Sequence, residues 1–270
     1  MDRTELSERV ILGLSVAAVA GAVAALATGC GGAGGSTRQS SLERTVTAVR
    51  QTPQPACAAG SLRPVGSART AWAAVVTRAT TAFAAPGRTP IARFGLRNVN
   101  GVATVFGILG EEVDAACRVR WLHVALPLRP NGRTGWVRAA DVERAPVHTR
   151  ITIDLSERSV RLYRNGRLVL SSRAAIGSSA TPTPLGRYYV NQRLRPADPG
   201  GPFGPGAVGI SAFSPVLTGW AQGGPIAIHG TNEPWSIGHA VSNGCVRLPN
   251  AILRRVFRLA LAGTPVLIRG

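Results

Sequence analysis

The residues best suited to do chemistry sit close together near the end of the chain. His229-Gly230-Thr231 is followed, after a loop, by Ser242-Asn243-Gly244-Cys245-Val246-Arg247. A cysteine with a histidine upstream and an arginine two residues downstream makes a thiolate nucleophile site. The imidazole takes the thiol proton and later returns it. A neighbouring cation favours thiolate over thiol. Such a site forms a covalent thioester with a carbonyl substrate. Two other readings need weighing. A lone cysteine often serves as a small buried hydrophobe, but here both Cys245 and His229 are flanked by glycine, in turns where function concentrates. A zinc site built from His229, His239 and Cys245 lacks a fourth ligand and the usual paired-ligand spacing.

This stretch resembles the L,D-transpeptidase (YkuD-like) family of bacterial peptidoglycan enzymes. The family pattern is a His-Gly pair, a loop, then Ser/Thr-His-Gly-Cys followed by a small apolar residue and Arg or Asn. His229 and Cys245 stand sixteen positions apart, which fits. The family's usual second histidine is Asn243 here; an amide can hold a loop or donate a hydrogen bond but cannot act as a base. The resemblance runs from near Thr149 to Gly270. It implies that Cys245 is the nucleophile and His229 the single acid–base group, with a resting pKa near the working range. The carbonyl of Gly230 or Thr231 would fix the ring's tautomer. Backbone N–H groups at Gly244 and Cys245 would face the oxyanion. Arg247 would contact a substrate carboxylate or support the thiolate, Ser242 would shape the turn, and Trp220 and Trp235 would wall the groove or sit in the core. The implied substrate is a peptidoglycan stem peptide, cross-linked between third-position residues, with no cofactor, no metal and carbapenem-type inhibitors. An L,D-carboxypeptidase with the same site, or a non-catalytic wall-binding protein, are the alternatives.

The charge is +18, and every basic residue is arginine. A cationic chain is drawn to anionic polymers. The arginines are scattered, no nucleic-acid motif is present and aromatics are only 5% of residues, so a wall or membrane surface fits better than nucleic acid. Val10 to Thr28 is an unbroken run of nineteen apolar or small residues. That length suits a signal sequence or one membrane-spanning helix. The run ends Leu26-Ala27-Thr28-Gly29-Cys30, which resembles a bacterial lipobox, with Ala27 where the usual leucine stands. Lipoprotein, uncleaved anchor and cleaved signal stay open; each places the rest of the chain outside the cytoplasm, facing the wall. With Cys30 lipidated and Cys245 free, Cys57 and Cys117 are left to form a disulfide in an oxidising compartment.

The elements that must position this site read as mainly β. Residues 1–29 form the targeting or anchor segment and 30–67 a linker, opening on the glycine tether Gly31–Gly35 and including a short helical pattern at Ser41–Val49. Residues 68–145 alternate in short apolar stretches separated by Gly, Pro and Asn. The closing run Trp121 to Leu126, then Gly135-Trp136-Val137 and Asp141, resembles a bacterial SH3-like β-barrel. Residues 147–270 form the catalytic domain. Strands are expected at 151–155, 159–164, 168–175, 225–229 and 265–269, with Asn165-Gly166 as a two-residue hairpin turn. Thr181 to Gly186 is a rigid Pro-rich turn, and Pro196 to Gly209 a long loop lining the groove. One amphipathic helix carries Ile252, Val256 and Leu259, with Pro249 at its first position and Gly263 capping its end.

Overall fold

Alternating burial along short strands builds both halves of the molecule. The computed structural model describes residues 57–270. The apolar run at 10–28, Cys30, the glycine tether and the helix expected at 41–49 lie outside the described residues.

The first half holds β1 (Ser61–Pro64), β2 (Ala71–Val76), β3 (Thr80–Ala85), β4 (Arg88–Phe94), β5 (Val105–Val113), β6 (Val119–Ala125), β7 (Thr134–Arg138) and β8 (Val142–Val147). They form one antiparallel sheet in the order β4-β3-β7-β6-β5-β2-β8, with β1 also paired to β5. Along β6 the even positions Leu122 and Val124 point inward, meeting Phe106, Leu126 and Val137 in a closed core. Outside, the Trp136 ring stacks on His123 with centroids 5.0 Å apart. β1 falls inside the stretch read as linker. Its sequence is short and polar, but pairing with β5 and a disulfide between Cys57 and Cys117, with Cα atoms 5.2 Å apart, tie this segment to the sheet. Closing a loop of that span removes about 4 kcal/mol of unfolded-chain freedom on the chain-entropy account.

The second half follows at once: β9 (Thr149–Asp154), β10 (Ser159–Arg164), β11 (Arg167–Arg173), β12 (Ile176–Gly177), β13 (Gly186–Leu194), β14 (Ala207–Phe213), β15 (Pro225–His229), β16 (Ala240–Ser242), β17 (Val246–Arg247), α1 (Asn250–Leu259) and β18 (Pro265–Arg269). The main sheet runs β11-β10-β9-β18-β13-β14-β15-β17, and β12 pairs with β16 separately. Two pairings in the main sheet are parallel, β18 with β9 and β15 with β17. The Asn165-Gly166 turn has φ of 51° and 79°, the left-handed pair that a tight hairpin needs. α1 buries Leu253 and Val256 against Ile210, Ile226, Ile228 and Val246, with Ile252 and Leu259 partly buried alongside.

Two expectations about this helix shift. Pro249 is the residue before it rather than its first turn. Gly263 does not cap it: the helix ends at Leu259, and Gly263 lies beyond, at φ 90°, where a Cβ would fall 2.3 Å from the Cβ of Ala73 in β2. The glycine is needed because the first sheet packs there. Ala262 joins Ala71, Ala73, Val75, Val105 and Val147 in a small apolar cluster at the junction. The two sheets thus form one compact unit.

Candidate active site

The register of two neighbouring strands brings the reactive pair together. β15 and β17 run parallel, with Ile228 opposite Val246 and His229 opposite Arg247. Ile226, Ile228 and Val246 all point into the core. Successive side chains alternate across a sheet. Ala227, His229 and Arg247 therefore project from the other face. Cys245, one step before β17, sits opposite Ala227, whose N–H reaches its Sγ at 3.4 Å. His229 and Cys245 share a face of the sheet on adjacent strands.

The imidazole is held in one tautomer. Its Nδ1–H donates to the carbonyl of Gly230 at 2.5 Å, leaving Nε2 as the proton acceptor. The ring is only 4% exposed and meets the edge of Phe203, with centroids 5.0 Å apart. Phe203 belongs to the loop between β13 and β14, expected to line the groove. That loop closes on the site because Gly204 has no side chain: a Cβ there would fall 2.4 Å from Asn250 Oδ1 and 2.7 Å from the Thr231 nitrogen.

Burial works against both charged forms. It lowers the His229 pKa from 6.5 to about 4, opposed by the Gly230 carbonyl and aided by the charge on Arg247. The expectation of a resting pKa near the working range is therefore corrected, because desolvation outweighs the hydrogen bond that would stabilise the cation. Burial likewise pushes the Cys245 thiol up, with the Ala227 N–H and Arg247 pulling it back. The resting pair is a neutral thiol beside a neutral imidazole.

The cysteine loop is braced by hydroxyls. Ser242, 2% exposed, donates from Oγ to the Cys245 carbonyl at 2.5 Å and accepts the Gly244 N–H at 3.2 Å. Ser242 thus shapes the turn. The Gly244 N–H, expected to face an oxyanion, is engaged within the loop instead. The Pro-rich turn supplies two more braces. Thr181 Oγ1 donates to the Ser242 carbonyl at 2.9 Å, and Thr183 Oγ1 donates to the Gly244 carbonyl at 2.8 Å while accepting the Gly177 N–H at 2.9 Å. Asn243 is exposed at the loop surface.

The histidine loop is tied to α1 by one amide. Asn250, the first residue of α1, accepts the Thr231 N–H on Oδ1 at 2.8 Å and donates from Nδ2 to the Thr231 carbonyl at 3.0 Å. Thr231 Oγ1 accepts the Glu233 N–H at 2.9 Å, and Glu233 forms an ion pair with Arg247. Arg247 thus has a partner in the protein, while its Nε is buried without one. A donor on the reactive face therefore stays unspent.

The site residues named from the sequence fall into place unevenly. His229, Gly230, Ser242, Gly244, Cys245 and Arg247 converge. Cys245 is the free cysteine among the described residues, and Cys57 and Cys117 are joined far along the first sheet. His239 is exposed, as are Trp220 and Trp235 at 54% and 63%, so neither tryptophan belongs to the core. Among the described residues no three metal-ligating side chains gather. Sequence reading missed Asn250, Thr181, Thr183, Glu233 and Phe203. An asparagine straight after Pro249 at a helix start was the one local signal for Asn250.

Residues 148–268 match the YkuD family model, described as the L,D-transpeptidase catalytic domain. Over 119 residues, 44% of this chain, the sequence is 39% identical to the candidate L,D-transpeptidase YkuD of Bacillus licheniformis. Over 123 residues, 46% of this chain, it is 36% identical to the corresponding protein of Bacillus subtilis. The matched region spans 64% and 66% of those relatives, a little under two thirds of their length. Among solved structures, a cysteine-to-serine variant of an Enterococcus faecium L,D-transpeptidase is 24% identical, covering 45% of this chain and 49% of that one, with a TM-score of 0.34.

Proposed function

We propose that this protein, whose residues 148–268 match the L,D-transpeptidase catalytic domain, is a cysteine-dependent L,D-transpeptidase acting on peptidoglycan stem peptides. The observation that carries the reading is the parallel register of β15 and β17, with His229 and Cys245 on one face and Nδ1 of the imidazole tied to Gly230. In the first half-reaction Nε2 of His229 takes the Cys245 proton as sulfur attacks the carbonyl of the third residue. The protonated ring then gives that proton to the departing amine of the terminal D-alanine, leaving a thioester. In the second, the side-chain amine of a neighbouring stem attacks the thioester, gives a proton to Nε2 and releases the thiolate, which recovers the proton. One amide is exchanged for another, so no nucleotide is consumed.

The neutral resting pair makes proton transfer part of the attack rather than a prior step. Forming thiolate and imidazolium together in a buried site is costly unless the substrate supplies compensating charge. Arg247, which projects from the reactive face and is paired with Glu233, is the cation read as meeting a substrate carboxylate. The first sheet is read as an SH3-like domain presenting the wall to the catalytic half. The apolar run at 10–28 and Cys30 are read as an export segment with a lipid anchor or membrane helix, placing the enzyme outside the cytoplasm.

The test is mass spectrometry of the soluble part after exposure, separately, to a carbapenem and to a disaccharide-tetrapeptide with and without an acceptor peptide. A covalent adduct on Cys245 and a cross-linked dimer support transpeptidation. A trimmed peptide without a dimer supports the carboxypeptidase. No adduct with either reagent leaves the wall-binding reading. Labelling with radioactive palmitate, beside a Cys30→Ala variant, separates a lipid anchor from a membrane helix.

A further inference from the structure

A cleft of about 610 Å³ opens between the two sheets, away from Cys245 and His229. Three arginines line it, Arg93, Arg97 and Arg129, and no carboxylate does. None of the three has an ion-pair partner among the described residues. Arg129 is anchored by its NH2 group to the carbonyl of Ser214 at 2.7 Å and to that of Gly223, and its guanidinium lies over the Phe213 ring at 5.4 Å. Its Nε is nonetheless buried with no partner, and so is Oδ1 of Asn191 in the same wall. A buried donor and a buried acceptor left unmatched each cost stability unless a ligand or water meets them.

Other features define what would fit. Gln192 accepts from Asn98 at 3.0 Å and from Asn100 at 2.8 Å, so an amide cluster spanning both sheets holds the cleft's floor in place. Arg93 and Phe94 end β4, the edge strand of the first sheet. An edge offers backbone groups to an extended chain. The cleft reaches Pro225, where β15 begins. His229 is four residues further, about 13 Å along an extended strand.

We propose that this cleft is a second binding site, taking an acidic peptide through its carboxylate. The arginines meet the carboxylate. On the reading that Cys245 acts on stem peptides, the occupant is a second stem peptide, held on the same body as the one being acylated.

The experiment uses the full chain carrying Cys245→Ala, so that nothing is turned over. Calorimetry counts the binding of a wall tetrapeptide with a free carboxylate, of its C-terminal amide, and of a neutral N-acetylated chito-oligosaccharide. Two equivalents of the free acid are expected, falling to one when Arg93→Glu is added, with Arg97→Glu as a second variant giving the same loss. The amide should bind the cleft at least tenfold more weakly. In the wild-type background, Arg93→Glu should leave the rate of acylation by a carbapenem within twofold. One equivalent in both proteins, two equivalents surviving both reversals, or displacement of the acid by the neutral oligosaccharide would each overturn the site. Failure of wild type to react with the carbapenem sinks the transpeptidase reading, while the count of bound peptides still decides the cleft.

Discussion

The two loops that carry the reactive groups are built on opposite plans. The cysteine loop is held at three carbonyls, those of Ser242, Gly244 and Cys245, by the hydroxyls of Thr181, Thr183 and Ser242 itself. The histidine loop is tied to the helix by one side chain, Asn250, which grips both backbone groups of Thr231, and otherwise holds itself through Thr231 Oγ1, Ser236 Oγ and the Glu233–Arg247 ion pair. Several independent braces make the nucleophile's position insensitive to losing one of them. Asn250 is the side chain that grips the peptide beside the Gly230 carbonyl, so the tautomer of the base is sensitive to losing it. Arg247 stands between the two and cannot serve both, since its charge pulls the thiol pKa down and the imidazole pKa down as well. It helps the thiolate and hinders the imidazolium.

The largest break in this comparison is Cys245→Ala, which should abolish the covalent adduct seen by intact-protein mass spectrometry. Cys245→Ser should be nearly as inert, because a hydroxyl beside the same imidazole is the poorer nucleophile. An adduct of unchanged yield on the alanine variant would move the chemistry to another residue.

Next in size, His229→Ala should slow acylation by about 10²–10⁴, the usual scale for a lost general base. His239→Ala, at an exposed position, should leave the single-turnover rate nearly unchanged. The reverse order would mean the wrong histidine has been placed on the reactive face.

The pH dependence sharpens the same point. The imidazole titrates at 6.5 in the unfolded chain and at about 4 in the folded one. Above pH 6.5 both states are neutral there and its contribution to stability is complete. As pH falls from 6.5 to 4 the unfolded chain takes a proton that the folded chain refuses, and about 3 kcal/mol of stability is lost. Denaturant midpoints of wild type should fall over that window, and those of His229→Gln should fall less. The acid limb of the acylation rate should lie near pH 4 as well. An acid limb near 6.5 would show that the ring is solvated when it works.

Asn250→Ala tests the grip on Thr231 directly. Releasing Thr231 frees the Gly230 carbonyl, so the ring loses its tautomer and acylation should slow by about tenfold, or about 1.4 kcal/mol in the barrier. Thr183→Val, which removes one of three braces on the other loop, should cost less in rate. Equal losses would erase the contrast between the loops. The smallest effect expected is that of Asn243→His. The residue is exposed, so the acylation rate should stay within about tenfold. A wild type inert to carbapenem and tetrapeptide beside a reactive Asn243→His would make this chain a degenerate relative.

Much of the local structure was legible because it depends on near neighbours. The strands at 159–164, 225–229 and 265–269 stand where alternation placed them, and Asn165-Gly166 turns where two positive φ angles are cheapest. The chemical identity of the site was legible for the same reason: a cysteine, a histidine and an arginine state their reactivity in their side chains, and the motif spacing states that they meet. β1 is not legible in the same way, since four residues ending in proline have no visible period and take their structure from β5. Gly263 read as a helix cap, since the residue that requires it, Ala73, lies in the other sheet.

What the sequence by itself determined, then, was the set of strands and turns and the kind of chemistry that Cys245 and His229 can do. Only the tertiary structure decided the state in which they rest. The depressed imidazole pKa comes from burial beneath a loop some twenty-five residues upstream, through Phe203. The tautomer is held through Asn250, which reaches back from the helix to Thr231, and Arg247 is committed to Glu233 across the loop. The cleft lined by three arginines and no carboxylate exists only because two sheets meet. Desolvation, hydrogen bonding and charge pairing act through space over a few ångströms, and distance along the chain says nothing of them until the fold has brought the partners together.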